Sequence, residues 1–160
     1  MKANKIVYTS NTGFTERYAR MLAEETGLPC YRLEESPRGG SAIYLGWLMA
    51  GRIKGLEKAK KKHLVTACCA VGLGETGQME QIAAQLPGGR VFYLRGGYIH
   101  EKQRGLNRLL MSLMGKAMEK KPPEDEAAQS MARAVREGAD YVSREQLEPV
   151  VAWLGEKASQ

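Results

Sequence analysis

The period of apolar and polar positions changes repeatedly along the chain, and each change marks a new element. Ile6, Val7 and Tyr8 form a short apolar run that predicts a first buried strand. Phe14, Tyr18, Met21 and Leu22 then recur at helical spacing, with Ala19 and Ala23 beside them, and Gly27 followed by Pro29 supplies the stop. Residues 29–35 alternate as a second strand, 36–40 carry turn chemistry, and 41–45 read as a third strand. The second connection is short, since a parallel crossover normally takes roughly ten or more residues and a helix. Either it is an extended loop or the second strand ends sooner. Residues 46–55, with three glycines, read as a flexed loop, and 56–62 as a short basic helix. Residues 63–70 predict a fourth strand, apolar on both faces as a buried parallel strand should be. A modest helix over 78–86 ends at Pro87-Gly88-Gly89, and 91–95 is the fifth strand. Strands alternating with helices predict a three-layer α/β sandwich, with a five-stranded parallel sheet and right-handed crossovers.

The chain continues well past that strand. Residues 96–123 form an amphipathic basic insert within what reads as one domain, 1–160. In it Leu106, Leu109, Leu110, Leu113, Met114, Ala117 and Met118 share a broad apolar stripe, edged by Arg104, Arg108, Lys116, Lys120 and Lys121. Such a stripe either packs inward as a core or lid helix or serves as a docking face. Pro122-Pro123 breaks the chain. Residues 124–137 then form an amphipathic helix with acidic residues at its start, and a last helix over 143–155 takes Ser143 as its N-cap.

Composition narrows the picture. The formal net charge is +6, which suggests an acidic partner, an anionic membrane surface or simply a solvated face. The densest basic run, 52–62, has no interleaved aromatic residues, which argues against nucleic acid. Cys30, Cys68 and Cys69 show no CxxC spacing, and with only His63 and His100 beside them no metal cluster is expected. No apolar run approaches a membrane span and no signal-peptide core is evident, so a cytoplasmic protein is expected.

The candidate chemistry lies in Ser10, Asn11, Thr12, Gly13, Phe14 and Thr15, a turn between the first strand and the first helix. It holds three hydroxyls, one amide, one glycine and no carboxylate. A helix N-terminus offers unpaired N–H groups and positive dipole, so this loop suits a phosphate held by backbone and hydroxyls rather than by lysine. It also reads as an ordinary helix entry turn. The Walker pattern and the three-glycine dinucleotide pattern are both absent.

Ser10, Thr12, Gly13 and Thr15 match, position by position, the Ser/Thr-x-Thr-Gly-x-Thr phosphate loop of the flavodoxin family, and the chain resembles that family over most of its length. The resemblance implies FMN as cofactor, with its phosphate in the Ser10–Thr15 loop. It implies the strand order 2-1-3-4-5, which flavodoxins themselves define, with the site at the switch point between strands one and three. Gly46, Trp47 and Leu48 (or Met49) then become the isoalloxazine wall, and Gly72, Leu73 and Gly74 in the 71–77 loop become the second approach, with Gly77 adding room. The basic charge and the lack of an aromatic residue in 71–77 depart from the family. The segment after the fifth strand is similar in layout to the flavodoxin-type protoporphyrinogen dehydrogenases of bacteria. That implies a bulky porphyrinogen-like substrate, with a membrane quinone or a redox partner protein as acceptor. No acid, base or nucleophile constellation is evident, so no catalytic side chain is assigned. The other readings are a flavodoxin-fold module with a lost or altered cofactor that acts as a scaffold, and a basic surface-binding protein.

Overall fold

The computed structural model describes residues 3–75 and 78–158, with no side-chain account of 157 and 158; Thr76 and Gly77 lie outside the described residues. Five strands form one parallel sheet: β1 (Lys5–Thr9), β2 (Cys30–Arg32), β3 (Ser41–Met49), β5 (Leu64–Gly72) and β6 (Arg90–Arg95). Their order is β2-β1-β3-β5-β6, with the two-residue β4 (Arg52–Ile53) pairing antiparallel to the end of β3. Helices α1 (Phe14–Thr26), α2 (Leu56–Lys62), α3 (Met79–Ala83), α4 (Gly105–Glu119), α5 (Glu126–Glu137) and α6 (Glu148–Ala158) complete the described chain. A small ribbon, β7 (Gly97–Tyr98) against β8 (Ala139–Asp140), ties the start of the insert to the residues that follow α5. The architecture is a flavodoxin-like three-layer sandwich. No described helix is long and apolar enough to cross a membrane.

Alternation along the strands builds two cores. Ile6, Tyr8, Ile43, Leu45, Ala67 and Cys69 face α1 and α6, where Tyr18, Leu22, Val150 and Leu154 meet them. Val7, Ala42, Tyr44, Cys68 and Ala70 face α2 and α3, where Leu56, Ala59 and Ile82 meet them. Burying a leucine such as Leu22 contributes about 1.5–3 kcal/mol.

The structure corrects several sequence expectations. The second strand stops at Arg32, and residues 33–40 cross over as a loop rather than a helix. Lys62 Nζ donates to the Leu33 carbonyl (2.8 Å), Lys5 Nζ to that of Gly39 (2.9 Å), and buried His63 reaches Ser36 Oγ (2.9 Å) and the Gly39 carbonyl (3.0 Å). Part of the 52–62 basic run is therefore spent holding this loop. The third strand does not end at Leu45. It runs to Met49 and turns back through Ala50 (φ 49°) and Gly51 (φ 76°) into β4. Two residues at positive φ make a tight hairpin whose twist matches its strands, so 46–49 is strand rather than flexed loop.

The last helix begins later than expected. A 3₁₀ turn, Glu145–Leu147, precedes α6, and Ser143 is not its cap. Pro149 supplies the reason: a proline is accommodated in the first turn of a helix, but further in its ring would clash with the carbonyl four residues back. Gly27 does end α1 in the left-handed conformation, its N–H donating to the Ala23 carbonyl. The Asp125 carboxylate caps α5 by accepting from Ala128 N at 3.0 Å.

Candidate functional site

At the carboxyl edge of the sheet, between β1 and β3, the strand order reverses and a cleft opens. Its cavity volume is only about 80 Å³, below the roughly 300–1,000 Å³ usual for small-molecule sites, so a ligand of nucleotide size would extend into the open mouth. Ser10, Asn11, Thr12, Phe14, Thr15, Trp47, Leu48, Gly72 and Leu73 all line it. Gly13, Gly46 and Gly74 do not.

The β1–α1 turn forms one end. Gly13 sits at φ 104°, where an L side chain would be strained, and a Cβ there would meet nothing within 4 Å. Ser10 Oγ accepts from Gly13 N (3.1 Å), and α1 starts without any side-chain cap. Its first-turn amides thus have neither a preceding turn of helix nor a cap to satisfy them. Thr15 is buried beside them, and Phe14 is buried beneath the strap that carries Gly97, where a Cβ would stand 2.6 Å from the Phe14 ring.

Gly46 has a packing role. A Cβ there would lie 2.7 Å from the Lys54 carbonyl and 2.8 Å from Ile53, so its bareness lets β4 fold against β3. That hairpin carries Trp47 into the cleft wall, with the Lys54 ammonium 5.8 Å from the ring centroid. On the opposite side the Gly74 carbonyl accepts from Tyr93 Oη (2.7 Å), the Leu73 carbonyl from Arg95 Nε (3.2 Å), and the Gly72 carbonyl from Gly96 N (2.7 Å). These bonds hold the described part of the 71–77 loop. Gly72 is bare because a Cβ would stand 2.6 Å from Tyr93 Oη.

Sequence reasoning missed the part of the site supplied by the insert. Tyr98, Gln103 and Met111 also line the cleft. Asn11 Nδ2 donates to Gln103 Oε1 (3.4 Å), and Lys102 Nζ reaches the Thr12 carbonyl (3.5 Å). These residues lie about ninety positions from the loop they cover, and no local pattern marks them. Tyr98 is fully buried, so it packs behind the cleft surface rather than supplying the aromatic face that the 71–77 loop lacks.

Electrostatically the cleft suits an anion, for among the described residues no carboxylate lines it. Glu16, in the first turn of α1, is drawn aside by Arg20 (2.7 Å), Tyr8 Oη (3.0 Å) and Arg32 (3.1 Å). The Arg20 hydrogen bond holds its carboxyl below the usual range. Burial pushes the Tyr18 and Tyr93 phenols up to about 12. It also raises the Cys68 and Cys69 thiols, which stand in opposite cores, so neither supplies a thiolate and the two do not form a redox pair. Among the described residues no group of histidine, cysteine and carboxylate is placed to hold a metal ion.

Compared with protein-family models, with curated proteins and with solved structures, the chain has no match in any of the three.

Proposed function

We propose that the cleft binds FMN and that the protein is a flavodoxin-like electron-transfer protein. The observation that carries this reading is the convergence of three separate segments on the switch point: the uncapped hydroxyl loop Ser10–Thr15, the Trp47–Leu48 wall, and the Gly72–Leu73 edge. The residues fit the group. Hydroxyls and free amides without a carboxylate suit its phosphate, and Trp47 and Met111 suit a flat ring. When bound, FMN supplies one- or two-electron chemistry. The chain positions it, sets its surroundings and, through Trp47 and Met111, limits water.

Within this reading the insert supports an oxidoreductase on a bulky substrate, protoporphyrinogen-like, over a bare carrier. Its acceptor would be a quinone or a redox partner protein. A second reading is favoured by Gln103 and Met111, which narrow the cleft: a module of the same fold with an altered ligand.

The purified protein is examined by absorption spectroscopy, then stripped and titrated with FMN. Oxidised-flavin bands and stoichiometric rebinding are expected. A colourless protein that takes up no FMN overturns the redox reading and leaves the altered-ligand module.

A further inference from the structure

Helix α4 packs by one side only. Gly115 is buried there, where a Cβ would stand 2.9 Å from Val135 of α5, and Met111 reaches the cleft. The other side presents Leu106, Leu109, Leu110 and Leu113 to solvent, at 69, 56, 43 and 53% exposure. Single exposed leucines are common, but four at i, i+3, i+4 and i+7 form a continuous apolar strip. Cations frame it: Arg104 before the helix, Lys116 on its flank, and Lys120 and Lys121 past its last turn, all exposed. No carboxylate occurs between Lys102 and Met118. Two cations are turned aside: Arg108 Nε donates to His100 Nε2 at 3.2 Å, and Lys102 Nζ to the Thr12 carbonyl at 3.5 Å.

We propose that this face of α4 docks flat on an anionic phospholipid bilayer. The leucines would enter the boundary between headgroups and acyl chains while the framing cations meet lipid phosphates. A second copy fits worse. With cations at both ends of the strip, either orientation of a helix pair sets like charges together. Nucleic acid would satisfy the cations and leave the leucines without a partner. The proposal does not depend on the cofactor assignment, and its readout needs no flavin.

The full chain is sedimented with vesicles of phosphatidylglycerol and phosphatidylcholine, and with phosphatidylcholine alone. The Leu109→Ser/Leu113→Ser and Lys116→Gln/Lys120→Gln variants are compared with it, with circular dichroism and thermal unfolding as controls on the fold. Partitioning onto the anionic vesicles is expected, weaker on the neutral ones and in high salt, and reduced about tenfold or more by either pair. Failure of the native chain to sediment with anionic vesicles overturns the proposal. So does undiminished binding by a folded leucine variant. Dimerisation abolished by the leucine pair, without vesicle binding, would assign the face to a second copy and overturn it as well.

Discussion

Thr12 and Thr15 line the cleft beside the uncapped start of α1, so on the proposed FMN reading their hydroxyls would donate to its phosphate. Hydrogen bonds to a charged acceptor are worth about 1.5–3 kcal/mol each. Thr12→Ala combined with Thr15→Ala should therefore weaken FMN binding by about 3–6 kcal/mol in a titration, while riboflavin, which lacks the phosphate, should be little affected. Equal loss for both ligands would place the phosphate elsewhere. Glu16 answers a different question, because its bonds lie away from the cleft. Its folded pKa is lowered, chiefly by Arg20, so its contribution to stability is fully present above the ordinary carboxylate value of about 4. That contribution is lost as pH falls through the lower, folded value. Glu16→Gln should cost about 1 kcal/mol in denaturant unfolding at neutral pH, and its stability should converge with that of the native chain in acid. A difference that persists unchanged in acid would mean the carboxylate charge is not what matters.

At the scale of elements, the β3–β4 hairpin decides the shape of the cleft, because it converts an expected loop into a rigid wall bearing Trp47. Its turn contains the single non-glycine residue at positive φ among the described residues, Ala50. Alanine in the left-handed region costs about 1–2 kcal/mol, and asparagine is better tolerated there. Ala50→Asn should raise unfolding stability by about 0.5–1 kcal/mol and leave the cleft intact; a loss of stability would show that the turn differs from this geometry. The hairpin was hidden in the sequence because its glycines imitate a flexible loop. Gly46 is bare for packing and Gly51 for a turn, and local composition does not separate those two uses from mobility. Helix α4 was hidden in another way: a helical apolar stripe reads the same whether it faces a core or a solvent.

Across the whole molecule, the positive charge is not a uniform coat. Lys5, Lys60 and Lys62 cap carbonyls of loops, Arg20 and Arg32 hold Glu16, and Arg144 pairs with Glu24 and Glu25. The cations left around α4 lie beside the exposed leucines. The sheet separates two apolar layers, so Cys68 and Cys69, adjacent in sequence, belong to different cores. The insert returns to the sheet through the β7–β8 ribbon and places Lys102, Gln103 and Met111 beside the β1–α1 turn, making the site a joint product of both halves of the chain.

While the strand order followed from the flavodoxin resemblance, the sequence by itself determined the α/β class, the five strands, the extent of α1 and α2, and the loop at Ser10–Thr15. Those features depend on local period, on glycine stops and on nearest-neighbour chemistry, which a linear chain displays directly. Only the tertiary structure decided that 46–49 is a strand, that Pro149 delays α6, that the leucines of α4 face outward, and that Tyr98, Gln103 and Met111 complete the cleft. Each of these depends on which distant surface an element meets, and that follows from packing rather than from any local pattern.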